Sequence, residues 1–407
     1  MNFPQSIYIH LPFCLKKCHY CIFQVHFLGH SPTSSLFPSY LNRLADEISH
    51  TLNNYPKSSD KLPLDTLFFG GGTPSLFSSK ELFPIFELIK KHYKINEMTE
   101  ISFEMNPGTF SKQSLSEYLS LGINRFSLGV QSFNEEMLKT LNRGHNLSQV
   151  IESIEILKNM QSDKKFTVSW DLLTNLPYET DHKKQIFEFL SYINKFQPEH
   201  LSIYSMILEP ESVFYQKFGF REEVFPMPNQ DFCADQLEII HNEIIKAGYH
   251  HYEISSFAKE TRFFCRHNEL YWEGNRSFFG FGMGATSLIN GKRISRPKNL
   301  KKYMEYVENL RLGKEKESKG LLIEEEKGKE NVKIVLMGGL RREKGVDLKR
   351  FGIEIRQFLT DFSENYKDLV EIGADGWMKM KGIKGFLLCD EILARIFVEI
   401  DRKALKF

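Results

Sequence analysis

From Ser6 to about Met206 the chain alternates short runs of β-formers with amphipathic stretches, and few folds accept that rhythm. The short runs are Ser6–Ile9, Leu64–Phe69, Glu100–Glu104, Arg125–Val130, Thr167–Leu172 and Leu201–Met206. Between them lie helical patterns. One puts Leu41, Leu44, Ile48 and Leu52 on a single face, and another groups Val150, Ile154 and Leu157. Strand–helix alternation with short connections implies a parallel sheet with right-handed crossovers. Six such units predict an α/β fold, an incomplete (β/α)6 barrel, with a flat doubly wound sheet as the rival.

The rhythm changes at about Phe225. Residues 1–225 read as the barrel, 226–296 as a connecting region and 297–407 as a C-terminal, mainly helical unit. In that last part a helix is expected on Leu300, Tyr303, Val307 and Leu310. The strings G-K-E-K-E-S-K-G and E-E-E-K-G-K-E-N read as a solvated loop and helix start. Two helices, a glycine-punctuated hairpin near Trp377–Leu388 and a final helix then resemble a winged helix. Winged helices often bind nucleic acid. With a net charge of +1 and no strong basic run, no nucleic-acid partner is expected.

No basic segment leads into an apolar run at the start, and no apolar run reaches spanning length, so a soluble, cytoplasmic protein is expected. Six cysteines in 407 residues make no disulfide framework. Three of them stand as F-C-L-K-K-C-H-Y-C, giving Cys14, Cys18 and Cys21 directly after the first expected strand. Thiolates suit iron–sulfur clusters and zinc. A structural zinc site needs a fourth ligand, for which His10, His19, His26 and His30 are candidates. Three thiolates on a cubane instead leave one iron open, ready for the amino and carboxylate groups of a methionine.

Unusual residues also recur where strands end, which in barrels is where ligands bind. They are G-G-G-T-P-S (Gly70–Ser75), E-M-N-P-G with Glu104, G-V-Q-S-F with Gln131, L-N-R-G-H with Arg143, W-D-L-L with Asp171, and H-L-S-I-Y-S with Tyr204. Glycines let backbone approach a ligand closely. A single polar site at the barrel mouth explains the series.

Together with Y-I-H-L-P-F-C, L-P-Y-E-T, H-Y-E-I-S-S-F-A and G-L-R-R-E-K-G-V-D-L, these strings resemble the oxygen-independent coproporphyrinogen III oxidase family of radical-SAM proteins. The resemblance covers most of the chain. It implies a [4Fe–4S] cluster on Cys14, Cys18 and Cys21. It also implies S-adenosylmethionine (SAM) contacts at Tyr8, Tyr20, Gly71, Gly72, Thr73, Glu104, Gln131, Arg143 and Asp171.

The family has an oxidase branch, which converts propionates to vinyls with a deoxyadenosyl radical, and a heme-chaperone branch. The oxidase pattern adds a cysteine where this chain has Phe23, and an N-terminal extension ahead of the cluster, which here begins at Cys14. His267–Trp272 read H-N-E-L-Y-W, similar to the chaperones' H-N-x-x-Y-W. The resemblance therefore implies heme as cargo, with His267, Tyr271 and Trp272 as heme contacts and Cys265 as a lesser thiolate candidate. It further implies delivery to apo-hemoproteins, including respiratory ones, and leaves room for a homodimer and for peripheral membrane contact through clients. His19 and Ile22 depart from the branch's usual Pro and Asp, and Met283 and Thr286 from its Pro and His.

Overall fold

Six parallel strands carry the N-terminal half. They are β1 (Ser6–Leu11), β2 (Thr66–Gly71), β3 (Glu100–Met105), β4 (Arg125–Gln131), β5 (Thr167–Thr174) and β6 (His200–Ser205). The computed structural model describes residues 3–29, 34–55, 61–181, 183–219, 227–274 and 276–403. Three further strands extend the sheet: β7 (His250–Glu253), β8 (Ser256–Ala258) and β9 (Phe279–Phe281). The order is β7-β8-β6-β5-β4-β3-β2-β1-β9. β8 runs antiparallel to β6, whereas β9 runs parallel to β1. The expected barrel strands are therefore present, and the region 226–296, expected as a connection, also supplies strands to both ends of their sheet.

The period-2 pattern of the strands divides two environments. Ile7, Ile9 and Leu11 of β1 pack outward with Leu67 and Phe69 of β2, beneath helices Leu36–Asn53 and Ser79–His92. Leu41, Leu44, Ile48 and Leu52 are all buried, as their spacing predicts. The alternate residues Tyr8, Phe68 and Ser102 share one register and line the interior, and Glu104, Ser127, Ser169 and His200 form the next layer. Helix Leu300–Arg311 joins this same core through Tyr303, Val307 and Leu310, so it packs with the barrel rather than with the C-terminal unit.

Its anchor is a buried ion pair. Glu47 accepts from Arg296 Nε at 2.7 Å, from Tyr303 Oη at 2.7 Å and from Gly282 N at 2.9 Å.

Residues beyond 327 have their own core, including Leu336, Leu359, Met378 and Ile396. Helices Gly328–Gly339, Ile353–Asn365 and Cys389–Arg402 surround a small sheet of Val346–Asp347, Trp377–Met380 and Val370–Ile372. Helix, short strand, helix, hairpin is the winged-helix order. The hairpin lies earlier than its glycines suggest, at Val370–Met380, and Gly382–Leu387 is a short helix. The reason is that Gly385 serves close packing: a Cβ there would stand 2.7 Å from the Leu369 carbonyl.

The charged stretch has its expected helix start, at Gly328, but part of its expected loop is a strand. Leu322–Glu325 is an edge strand paired with Lys292–Ser295, with Lys292 Nζ 3.1 Å from Glu325. Among the described residues no helix is long and apolar enough to cross a membrane.

Candidate functional site at the barrel mouth

One cavity of 320 Å³ opens at the C-terminal ends of the strands. The three clustered cysteines line it, as do Tyr20, Gly71, Gly72, Thr73, Glu104, Gln131, Arg143, Asp171 and Tyr204. Eight of the nine residues expected to contact SAM therefore meet in one place. Tyr8 stands apart: it lies deeper in the interior, its hydroxyl 3.0 Å from His10 Nδ1.

Local backbone explains how these groups converge. Gly71 has φ +106°, where a Cβ would collide with the His10 ring at 2.4 Å. A Cβ on Gly72 would fall 2.6 Å from the Phe13 carbonyl, so only glycine lets the turn after β2 touch the start of the cysteine loop. Gln131 ends β4 in the left-handed region at φ +67°, beside an irregularity in the β4–β5 ladder. That conformation costs about 1–3 kcal/mol, and such strain collects at functional sites.

Arg143 ties the cysteine loop to the strand ends. Its guanidinium donates to Asn106 Oδ1 at 2.6 Å, the Gly129 carbonyl at 2.9 Å, Tyr20 Oη at 3.0 Å and Cys18 Sγ at 3.3 Å. Asn106 in turn donates to Thr73 Oγ1, which lies 3.6 Å from Cys14 Sγ.

All three cysteines are free and partly buried. Burial pushes the Cys14 thiol up to about 12 and the Cys21 thiol to about 11. Among the described residues no three His, Cys, Asp or Glu side chains are arranged to hold a single metal ion. His10 Nε2 and His19 Nδ1 already face backbone carbonyls, of Gln24 and Thr140, and His30 lies outside the described residues. A cubane presents a separate iron to each thiolate and asks for no such convergence.

The carboxylates fit a cationic ligand. Burial, with the charge of Asp171 nearby, raises Glu104 to about 8, opposed by a hydrogen bond from Gly71 N at 3.0 Å. Burial raises Asp171 to about 6 despite two bonds from Ser127 Oγ. A sulfonium and an ammonium group supply the charge these groups lack. Arg143 Nε and His145 Nε2 are buried at this cavity without a partner, leaving hydrogen-bonding capacity for a bound molecule.

The H-N-E-L-Y-W segment is elsewhere. It forms helix Arg266–Trp272 beneath the opposite, N-terminal ends of the strands. Glu100 at the start of β3 accepts from Arg266 N and His267 N, satisfying the helix's first donors. The His267 ring is buried, with Nδ1 2.7 Å from Thr66 Oγ1 and Nε2 2.9 Å from Tyr271 Oη. Burial lowers it to about 3, so it is neutral. Neither ring nitrogen is free for iron in this arrangement. The Cys265 thiol is also buried and is pushed up to about 12. Trp272 ends the helix, its Nε1 enclosed near Glu253.

Comparison with known proteins agrees with the fold. The Radical SAM superfamily profile matches residues 8–190. Heme chaperone HemW of Bacillus subtilis (strain 168) is 32% identical over 371 residues, covering 91% of this chain and 92% of its own. The chain belongs to the HemW family. The HemW of Synechocystis sp. is 34% identical over 310 residues, 75% of this chain and 71% of its own. Among solved structures, coproporphyrinogen III oxidase HemN from Escherichia coli, a radical SAM enzyme, superposes with a TM-score of 0.78. At 21% identity it covers 97% of this chain and 90% of its own, which supports the fold.

The sequence reading of this HemW-family site missed Asn106 and His145, although both stand inside quoted strings, E-M-N-P-G and L-N-R-G-H. It also missed Ser127, whose only signal is its place two residues from the start of β4.

Proposed function

We propose that this protein is a heme chaperone. It holds a [4Fe–4S] cluster on Cys14, Cys18 and Cys21, binds SAM in the mouth cavity, and passes heme to apo-hemoproteins. The observation that carries the cluster and SAM part is the convergence of three thiols, two buried carboxylates and an arginine on one cavity. The cluster, when bound, supplies an electron and an open iron for the methionine end of SAM.

The chain's own residues bind and orient. Glu104 and Asp171 face the cationic centre, Arg143 fixes the cysteine loop, and the turn Gly71–Thr73 offers close backbone. The chaperone reading is supported by the HemW relatives and by Phe23, which lines the cavity, 69% exposed, where the oxidase pattern has a cysteine.

The rival is coproporphyrinogen III oxidase activity, which the HemN-like fold permits. Reconstituted protein given SAM, reductant and coproporphyrinogen is expected to form no vinyl product, and to bind hemin stoichiometrically when titrated with it. Vinyl product would establish the oxidase instead.

A further inference from the structure

The barrel and the C-terminal unit keep separate apolar cores. Among the described residues, the barrel's buried cluster runs no further than Leu310, and the C-terminal one begins at Val332. A polar seam joins them, and it closes over the H-N-E-L-Y-W helix. Strand β7 is the last of the large sheet, and its outer edge meets the C-terminal unit. Ile254 N donates to the Arg341 carbonyl at 2.8 Å and Glu343 N to the Tyr252 carbonyl at 3.0 Å, which pairs Glu253 with Arg342. His250 Nε2 lies 2.6 Å from Glu343. Arg350 Nη2 donates at 3.2 Å to the carbonyl of Glu273, just past the helix. Phe386 leans on the His251 ring, with centroids 5.1 Å apart.

The backbone of helix Gly328–Gly339 presses on the carboxyl end of the H-N-E-L-Y-W helix. A Cβ on Gly338 would stand 2.4 Å from the Trp272 carbonyl, and one on Gly274 would stand 2.9 Å from Val335 Cα. Yet the seam is incompletely bonded. Trp272 Nε1, Arg342 Nε and His251 Nε2 are buried along it with no hydrogen-bond partner, and Arg342 comes no nearer to Glu273 than 3.9 Å. Buried polar groups without partners favour opening, because water then satisfies them. Polar contacts between domains also part more readily than a shared apolar core. The helix is fastened differently at its two ends. Its amino end is tied to β3 through Glu100, and its carboxyl end is held by this seam. His267 lies between them, 1% exposed.

We propose that the C-terminal unit is a releasable clamp on the H-N-E-L-Y-W helix. Closed, it holds the carboxyl end of the helix against the barrel and keeps the His267 imidazole on Thr66 and Tyr271. When the seam parts, the helix swings on its Glu100 anchor and presents the imidazole. This rests on the heme-chaperone reading above, with the clamp deciding when the helix can be reached.

The test uses the full chain before cluster reconstitution, read by hydrogen exchange and by the rate at which the Soret band develops on mixing with hemin. Glu253 and Arg342 form a non-hydrogen-bonded cross-strand pair, a spacing that a disulfide spans, so Glu253→Cys with Arg342→Cys locks the seam. Gly338→Ala wedges it open, since alanine suits a helix interior but its methyl meets the Trp272 carbonyl. In wild type, amides of 266–272 and 341–346 are expected to exchange in one step, well before those of β2 and of helix Ile353–Asn365. The oxidised lock is expected to slow both helix exchange and hemin association by about tenfold or more, with dithiothreitol restoring them and equally oxidised wild type unaffected. Gly338→Ala is expected to speed helix exchange by about tenfold while Ile353–Asn365 stays protected. Helix exchange at the wild-type rate in either variant, or hemin association at the wild-type rate in the lock, would overturn the clamp. Absence of saturable hemin binding by wild type would instead remove the chaperone reading, and the exchange rates would still decide the clamp.

Discussion

The Arg143 guanidinium lies 3.3 Å from Cys18 Sγ and 2.6 Å from Asn106 Oδ1, joining the cysteine loop to the end of β3. A cation among thiols favours their ionised form, which is the form that binds iron. Arg143→Met is therefore expected to lower iron occupancy after reconstitution and to unfold at a lower temperature, because Asn106 and the Gly129 carbonyl each lose a buried donor at about 1–3 kcal/mol apiece. Iron analysis and a melting curve check both effects.

Single Ala variants of Cys14, Cys18 and Cys21 are each expected to lose the cluster, since two thiolates do not retain a cubane. Anaerobic wild type should carry about four irons with matching labile sulfide. Stoichiometric zinc without sulfide would contradict the cluster.

If SAM binds as proposed, Glu104 is expected to make its affinity depend on pH. Its carboxyl is raised to about 8 and holds a proton at neutral pH. Facing a cation requires that proton to leave, so affinity should climb with pH, by up to about tenfold per unit below 8, and level off above it. In Glu104→Gln the affinity should be weaker and nearly flat over the same range. Calorimetric titrations at pH 6, 7, 8 and 9 read this directly.

The pair Glu47–Arg296 gives a prediction about stability. Their side chains are 0% and 3% exposed. Glu47→Ala strands the Arg296 charge and removes the acceptor for Tyr303 and Gly282, so a loss of about 3–5 kcal/mol is expected in urea unfolding.

His267→Ala should lower stability by about 2–3 kcal/mol, because the Thr66 and Tyr271 hydroxyls lose a buried partner. Iron content and SAM affinity should persist, because the helix lies at the opposite end of the strands from the cysteines. A vanished or altered Soret band in this variant, but not in Cys265→Ala, would place the imidazole on the iron.

The contrast between His267 and Glu104 shows what a sequence discloses here. Glu104 was legible because it closes a short strand in a barrel, and strand ends have a known address. His267 sits on a helix outside the repeating units, and periodicity says which face of that helix is buried but not which end of the barrel it meets. Strand positions were legible for the same reason as Glu104, through runs such as Ile7, Ile9 and Leu11 between helical patterns. Leu322–Glu325 was not, because its pairing with Lys292–Ser295 is set by a partner some thirty residues earlier. Gly385 misled because a glycine chosen for close packing looks like one chosen for a turn.

The pairing of β9 with β1 has a consequence for biosynthesis. Ile7, Tyr8 and Ile9 find their outer neighbours only when Phe279, Gly280 and Phe281 have left the ribosome. Until then the first strand made keeps one row of amides and carbonyls open to any passing chain, and such edges recruit partners. A fragment ending at residue 225 should accordingly be prone to self-association, whereas one extended past 281 can close that edge. The nascent protein has reason to linger on a chaperone through two thirds of its own translation.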